Sequence, residues 1–293
     1  ILIEKLTKKY NLSLLAVRLY DFYNLNHSLY NLLIKPILHQ LGNPERLVII
    51  PSSEVLNLPF ESLIVGRKVS NYRKAPYLIT RFMVSYHLSS SLYFKSSNEG
   101  VIFKRQFTGV APISYSKLAS LPYSEKEVRE AASLFANTQV LLSKQASTGN
   151  IRGLKSELLH ISSHGFYDGD RLTGIYLSDT VLNSGMLNNF KGEFKHVVLA
   201  GCQTGLGNIN KYEGYTTGFV RSLINAECKS VLSTIWSTKD KISYLFFKEF
   251  YAAYAKHKDI VLATHLAKLN LLNHVDGWDY PYWWAGYRLI SSI

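Results

Sequence analysis

Two residues of this 293-residue chain have side chains that could do nucleophilic chemistry together: His164 and Cys202, 38 positions apart. His164 follows the mainly apolar run Leu158-Leu159-His160-Ile161-Ser162-Ser163, and Cys202 follows His196-Val197-Val198-Leu199-Ala200-Gly201. An imidazole beside a thiol can take its proton, and the thiolate then attacks a carbonyl carbon. Glycine sits at both places: Gly165 after the His, Gly201 and Gly205 around the Cys. Glycine lets backbone N–H groups approach a substrate closely. The N–H groups of Gly165 and Cys202 are therefore candidate donors to a tetrahedral oxyanion. Each residue alone also has a plain packing role, since a Cys behind a buried strand is commonly a small core residue.

The elements that must hold them follow from the hydrophobic pattern. Apolar runs without a helical period predict strands at Arg46–Pro51, Tyr77–His87, Phe107–Pro112, Val140–Leu142, Leu158–Ser163, His196–Gly201 and Ser230–Ile235. Three-to-four spacing predicts helices over 13–41, broken near Pro36, and over Ser124–Phe135, Tyr215–Asn225, Ile242–Tyr254 and Ile260–Leu272. Ser124 with Glu127 three residues on predicts a capping box. Strands alternating with helices imply an α/β fold with a mainly parallel sheet. At the carboxyl edge of such a sheet two neighbouring strands set their next residues side by side, which is what His164 and Cys202 require.

Composition narrows the classes. Hydrophobic residues make up 47% and charged residues 18%, too apolar for a disordered chain. No stretch reaches the roughly 18 apolar residues of a membrane-spanning helix. Two cysteines, Cys202 and Cys228, cannot make a disulfide framework or a structural zinc site, and a reducing, cytoplasmic compartment is expected. The chain opens Ile1-Leu2-Ile3 without a signal-peptide pattern and reads as a piece of a longer protein. The formal charge of +12 is concentrated early, with 14 basic and 6 acidic residues before position 111. Those basic residues are scattered, which suits a solvated surface or an acidic docking partner, with nucleic acid involved only indirectly if at all. A serine-based acyltransferase or esterase is disfavoured by the lack of a Gly-x-Ser-x-Gly elbow.

At the two strand ends the sequence resembles a known family, the CHAT domain, which groups with the caspase- and separase-related cysteine peptidases. Leu159–Asp168 resembles its His strand and Val197–Gly205 its Cys strand. Tyr212-Glu213-Gly214 resembles the Glu-Gly before the next helix. Ser230–Asp240 resembles the strand ending in Trp, with Asp four residues after Trp236, and Tyr282–Tyr287 the closing Trp-Ala signature. Upstream, Leu47–Pro51 and Leu58-Pro59-Phe60-Glu61-Ser62-Leu63 are similar to the family's early strand and turn. The order is kept over roughly residues 25–293, and several ordered motifs weigh more than any one.

The resemblance implies a caspase-like three-layer α/β/α sandwich. It implies peptide hydrolysis, with Cys202 as nucleophile, His164 as base and then acid, and no cofactor or metal. It implies a helical lead-in over 1–43, joined to an upstream helical-repeat domain, and a peptidase domain over 44–293 in two halves, 44–145 and 146–293. The implied partners are a specific protein substrate and an activating domain or protein, and bacterial members of the family cut partner proteins in defence or developmental switching. By likeness to separase, Asp240 stands where an acid would pair with a basic P1 residue, with Asp168 and Asp179 as rivals. Asp240 also directly precedes Lys241-Ile242, where it could cap a helix. The competing reading is a catalytically silent caspase-like interaction module.

Overall fold

A computed structural model describes residues 3, 5–7, 19–42, 44–66, 71–95, 105–168, 171–187, 192–200, 219–226, 228–274 and 277–291. Its centre is an eight-stranded sheet built from β1 (Arg46–Ile49), β2 (Met83–Tyr86), β3 (Arg105–Ala111), β4 (Thr138–Leu142), β5 (Lys155–Ser162), β9 (Glu193–Ala200), β10 (Ser230–Thr234) and β11 (Tyr287–Ser291). The order across it is β1-β2-β11-β10-β9-β5-β3-β4. Pairing is parallel everywhere except between β10 and β11. The sheet is therefore two parallel blocks joined at one antiparallel seam. A second sheet of β6 (Gly165–Asp168), β7 (Arg171–Tyr176) and β8 (Val181–Asn183) is antiparallel and follows His164 directly.

The principal helices are α1 (Leu19–Leu33), α2 (Pro122–Ala132), α3 (Phe219–Asn225), α4 (Asp240–His257) and α5 (Ile260–His274). Helix α4 packs on both α2 and α5. One hydrophobic core joins α1 through Phe22 and Leu29, the inner strands, and the helices through Phe247 and Leu271. Strands β5 and β9 are buried over their last five residues each, as strands covered on both faces must be. The two halves of the sequence interleave here, because β1–β4 supply both flanks of the sheet and β5, β9, β10 and β11 its middle.

Two local expectations change and one holds. Tyr77–His87 is not one strand; Leu78–Thr80 forms a 3₁₀ turn and only Met83–Tyr86 pairs. The helix expected over 13–41 is described from Leu19 to Leu33 and breaks near Pro36 as expected, Lys35–Leu38 being a separate turn with Pro36 in its opening positions. The Ser124–Glu127 capping box does not form. Helix α2 starts two residues earlier, after Leu121, which makes no side-chain cap; the Ser124 hydroxyl donates to the Leu121 carbonyl instead. Glu127 turns into the core, where its carboxylate accepts from His160 Nε2 at 2.8 Å. A buried partner outweighs a solvated cap, since an unpaired buried imidazole is the costlier alternative.

The family-like turn Leu58–Leu63 also has a structural explanation. Glu61 is 1% exposed and pairs with the equally buried Lys268 of α5, while its other oxygen accepts from the Tyr86 hydroxyl. Arg288 of β11 donates to the Leu56 and Leu58 carbonyls and lies over the Tyr86 ring at 4.3 Å. The motif thus pins the turn to β2, α5 and β11.

Candidate active site

Four adjacent strands, β3, β5, β9 and β10, run parallel, so their carboxyl ends share one edge of the sheet. The last register pair of β5 and β9 is Ser162 with Ala200, and the Ser163 N–H donates to the Ala200 carbonyl at 2.9 Å. His164 stands two residues beyond Ser162. Cys202 stands two residues beyond Ala200 in sequence and lies outside the described residues, as do Gly201, Gly205 and Glu213.

His164 is 2% exposed. Its Nε2 lies 2.7 Å from the Ala119 carbonyl oxygen. A carbonyl only accepts, so Nε2 carries a proton, which leaves Nδ1 as the ring nitrogen able to offer a lone pair. That Nδ1 is buried and has no hydrogen-bond partner among the described residues. A buried, unpartnered ring nitrogen is costly unless something at that place uses it. The Tyr115 ring and the imidazole make a T-shaped contact, centroids 4.6 Å apart. Tyr115 and Ala119 both come from the loop after β3, the strand beside β5. Sequence reasoning missed both: Ala119 acts through a main-chain atom that any residue carries, and Tyr115 is one of 20 tyrosines.

Gly165 opens β6 and pairs with Ile175, so the backbone turns sharply into the small sheet right after the imidazole. Asp240 begins α4, past the end of β10. It does not cap its own helix, whose N-cap is Lys239; its carboxylate accepts from the Tyr123 N–H at 2.8 Å and so caps α2. Burial pushes the Asp240 carboxyl up to about 6, with the Tyr123 N–H opposing and the Glu127 charge adding. The bond to Tyr123 ties Asp240 to the end of the loop that also supplies Ala119. Asp179 is elsewhere: both its oxygens accept from Thr148, closing the turn Thr148–Ile151. Asp168 ends β6, opposite Arg171.

The other strand histidines are structural. His160, four residues before His164, is held between Glu127 and the Tyr251 hydroxyl, the latter at 2.7 Å from Nδ1. His196 bonds the Ser230 hydroxyl, and burial lowers it to about 3, so it stays neutral. Cys228 is buried, and that burial pushes its thiol up to about 12, far from the thiolate that reacts. Trp236 stacks on Tyr282 and donates from Nε1 to its carbonyl, so the Trp after β10 and the closing signature form one packed unit. Among the described residues no helix is long and apolar enough to cross a membrane, and no cluster of His, Cys, Asp and Glu could hold a metal ion.

This architecture has known relatives. No curated protein matches the sequence. Among solved structures, one described as "Structure of Protease" superposes with a TM-score of 0.55 at 9% identity, over 93% of this chain and 68% of that one. Separase from Saccharomyces cerevisiae, in complex with securin, gives 0.51 at 13% identity over 84% of this chain and 16% of that one. The Arg-specific cysteine proteinase gingipain R gives 0.51 at 7% identity, over 78% of this chain and 56% of that one. At such identities the likeness is one of fold, that of the caspase-like cysteine peptidases, and the chain spans only part of the separase and gingipain chains. The CHAT domain family model matches residues 24–292. The chain, with its mostly parallel sheet and its His164 edge, belongs to the CHAT domain family.

Proposed function

We propose that this protein is a cysteine endopeptidase in which Cys202 is the nucleophile and His164 the base. The observation that carries the reading is the His164 ring: Nε2 tied to the Ala119 carbonyl, Nδ1 buried and without a partner among the described residues, just past the strand whose neighbour leads to Cys202. Nδ1 takes the thiol proton as sulfur bonds to the substrate carbonyl carbon. The carbonyl π electrons move onto oxygen, where the Gly165 and Cys202 N–H groups can receive them. As the tetrahedral intermediate collapses, the C–N bond breaks and the amine leaves with the proton from Nδ1. Water then attacks the thioester carbon, giving its proton to Nδ1; the C–S bond breaks, the carboxyl product leaves, and Nδ1 returns the proton to sulfur. The Ala119 carbonyl steadies the imidazolium formed at each stage.

Asp240 is proposed to favour a basic residue at P1, because it is a part-buried acid beside this edge with one oxygen engaged by Tyr123. The substrate is a specific protein, and control lies in an upstream helical-repeat domain or an activating partner; a base only 2% exposed suits a site that opens on activation. The test is a peptide library varied at P1, incubated with the wild type, Cys202→Ala and His164→Ala. Cleavage after Arg or Lys by the wild type alone is expected. Cleavage that survives in either variant would overturn the dyad; a preference for Asp or Leu at P1 would overturn the role of Asp240. Binding of a partner protein with no cut, equal for wild type and Cys202→Ala, would favour the interaction-module reading.

A further inference from the structure

The loop 112–121 does more than supply one carbonyl. It is closed on itself by the Leu121 N–H, which donates to the Ile113 carbonyl at 2.9 Å. Ile113 has φ 68°, a left-handed conformation that a β-branched side chain strongly disfavours. Something must hold the loop in that shape. On its far side Asp240 caps the next helix at Tyr123. On its near side the Tyr115 hydroxyl lies 2.9 Å from the Ser163 hydroxyl.

The direction of that bond can be deduced. The Ser163 hydroxyl donates to the Tyr176 carbonyl, which can only accept. Its one proton is therefore spent, so Tyr115 donates to Ser163. Tyr176 in turn donates its N–H to the His164 carbonyl at 2.9 Å. A chain of bonds thus runs from Tyr115 through Ser163 and Tyr176 to the backbone of His164, while the Tyr115 ring and the imidazole meet in a T-shaped contact and Ala119 holds Nε2. A tyrosine hydroxyl is already protonated at neutral pH, as a donor must be, and burial pushes this one up further, to about 12.

We propose that Tyr115 is a positioning residue for His164: its hydroxyl fastens the strained loop to the end of β5, so that the Ala119 carbonyl fixes the ring with Nε2 protonated and Nδ1 free. The consequence for catalysis rests on the reading of His164 as the base; the positioning itself does not.

The experiment separates the two. Tyr115→Phe keeps the ring and removes the hydroxyl; Ser163→Ala removes the acceptor and guards against a folding artefact in the first variant. Imidazole ¹⁵N spectra of the whole chain report the His164 tautomer, and the rate of Cys202 alkylation by an iodoacetamide probe reports the thiol. The wild type is expected to show a single Nε2–H tautomer, and both variants an averaged pair. Each variant is expected to slow Cys202 labelling about five- to tenfold, the scale of one lost hydrogen bond, and the double variant no further than the slower single one, because the two groups share one bond. Retention of the fixed tautomer in both variants overturns the proposal whatever the labelling rate. A tautomer change together with Cys202 labelling that is indifferent to His164→Ala upholds the positioning and overturns the peptidase reading.

Discussion

The carboxylate of Asp240, at the start of α4, accepts the Tyr123 N–H at the start of α2 across 117 residues of sequence. One acid therefore caps a helix other than its own and borders the edge where His164 sits. Nearness in sequence pointed to a cap on the adjacent helix. The fold carries the Asp240 carboxylate to α2 because β10 and β3 both deliver their chains to the same edge.

A pH dependence follows. The folded state holds the Asp240 carboxyl at about 6, against an ordinary 3.8. Between those values the folded chain keeps a proton that the unfolded chain releases, so this group's favourable contribution is present below about pH 4 and lost as pH rises through 6. Asp240→Asn keeps an acceptor for Tyr123 and cannot ionise. The difference in thermal midpoint, Asp240→Asn minus wild type, is expected to rise between pH 4 and pH 7, other titrations cancelling in the subtraction. A flat difference would contradict the raised value. If Asp240 also receives a basic P1 side chain, cleavage after Arg rises through pH 6 in the wild type and not in the variant.

The buried pair of Glu61 and Lys268 predicts a non-additive result. Removing one partner strands the other charge in the core, at a cost of roughly 3–5 kcal/mol. Glu61→Gln and Lys268→Met should each lower stability on that scale in urea titrations. The double variant should recover much of the loss, because a neutral pair leaves no uncompensated ion. Two mild single effects that simply add would place this pair among weak surface bridges, which its burial disallows.

How much of this was legible beforehand differs by element. The strands β5 and β9 and the two residues after them were legible because a strand buried on both faces writes a continuous apolar run. The antiparallel seam was not: Tyr287–Ser291 is apolar enough for a strand, but nothing in it specifies its direction or its seat between β10 and β2. No strand is expected over β6–β8, whose three to six residues each are too short to show a period. Glu127 was assigned to a local cap because its partner, His160, lies 33 residues away. The site shows the same division. His164 announces itself by side-chain chemistry, whereas Ala119 acts through a carbonyl and Tyr115 through a bond to Ser163. Contacts made by the backbone or across the fold leave no local trace in the sequence.

Gly286 gives a steric prediction. A β-carbon there would stand 2.5 Å from Trp236 Nε1, the atom that donates to the Tyr282 carbonyl. The indole is rigid and stacked on Tyr282, so it cannot yield locally. Gly286→Ala is expected to cost roughly 1–3 kcal/mol by overpacking. It should also change the tryptophan emission of the folded state, as the Trp236 hydrogen bond is lost. Unchanged emission and stability would mean that the strand β11 shifts freely, against its full register with β10.

The two cysteines should differ sharply toward an alkylating reagent. Cys228 is 4% exposed, and its thiol is pushed up to about 12 by burial, so at neutral pH roughly one molecule in ten thousand or fewer carries the thiolate. Native protein treated with an iodoacetamide probe should therefore carry no label at Cys228, and unfolding in urea should release it. Under the proposed function Cys202 is labelled in the native state, and His164→Ala slows that labelling, since the imidazole that takes the thiol proton is gone. Peptide mapping by mass spectrometry resolves the two sites. Equal labelling of both cysteines in native protein would mean that neither is activated, and the dyad would have to be abandoned. Labelling of Cys202 alone, at a rate tied to His164, leaves the thiol–imidazole pair as its simplest cause, because burial already accounts for the silence of Cys228.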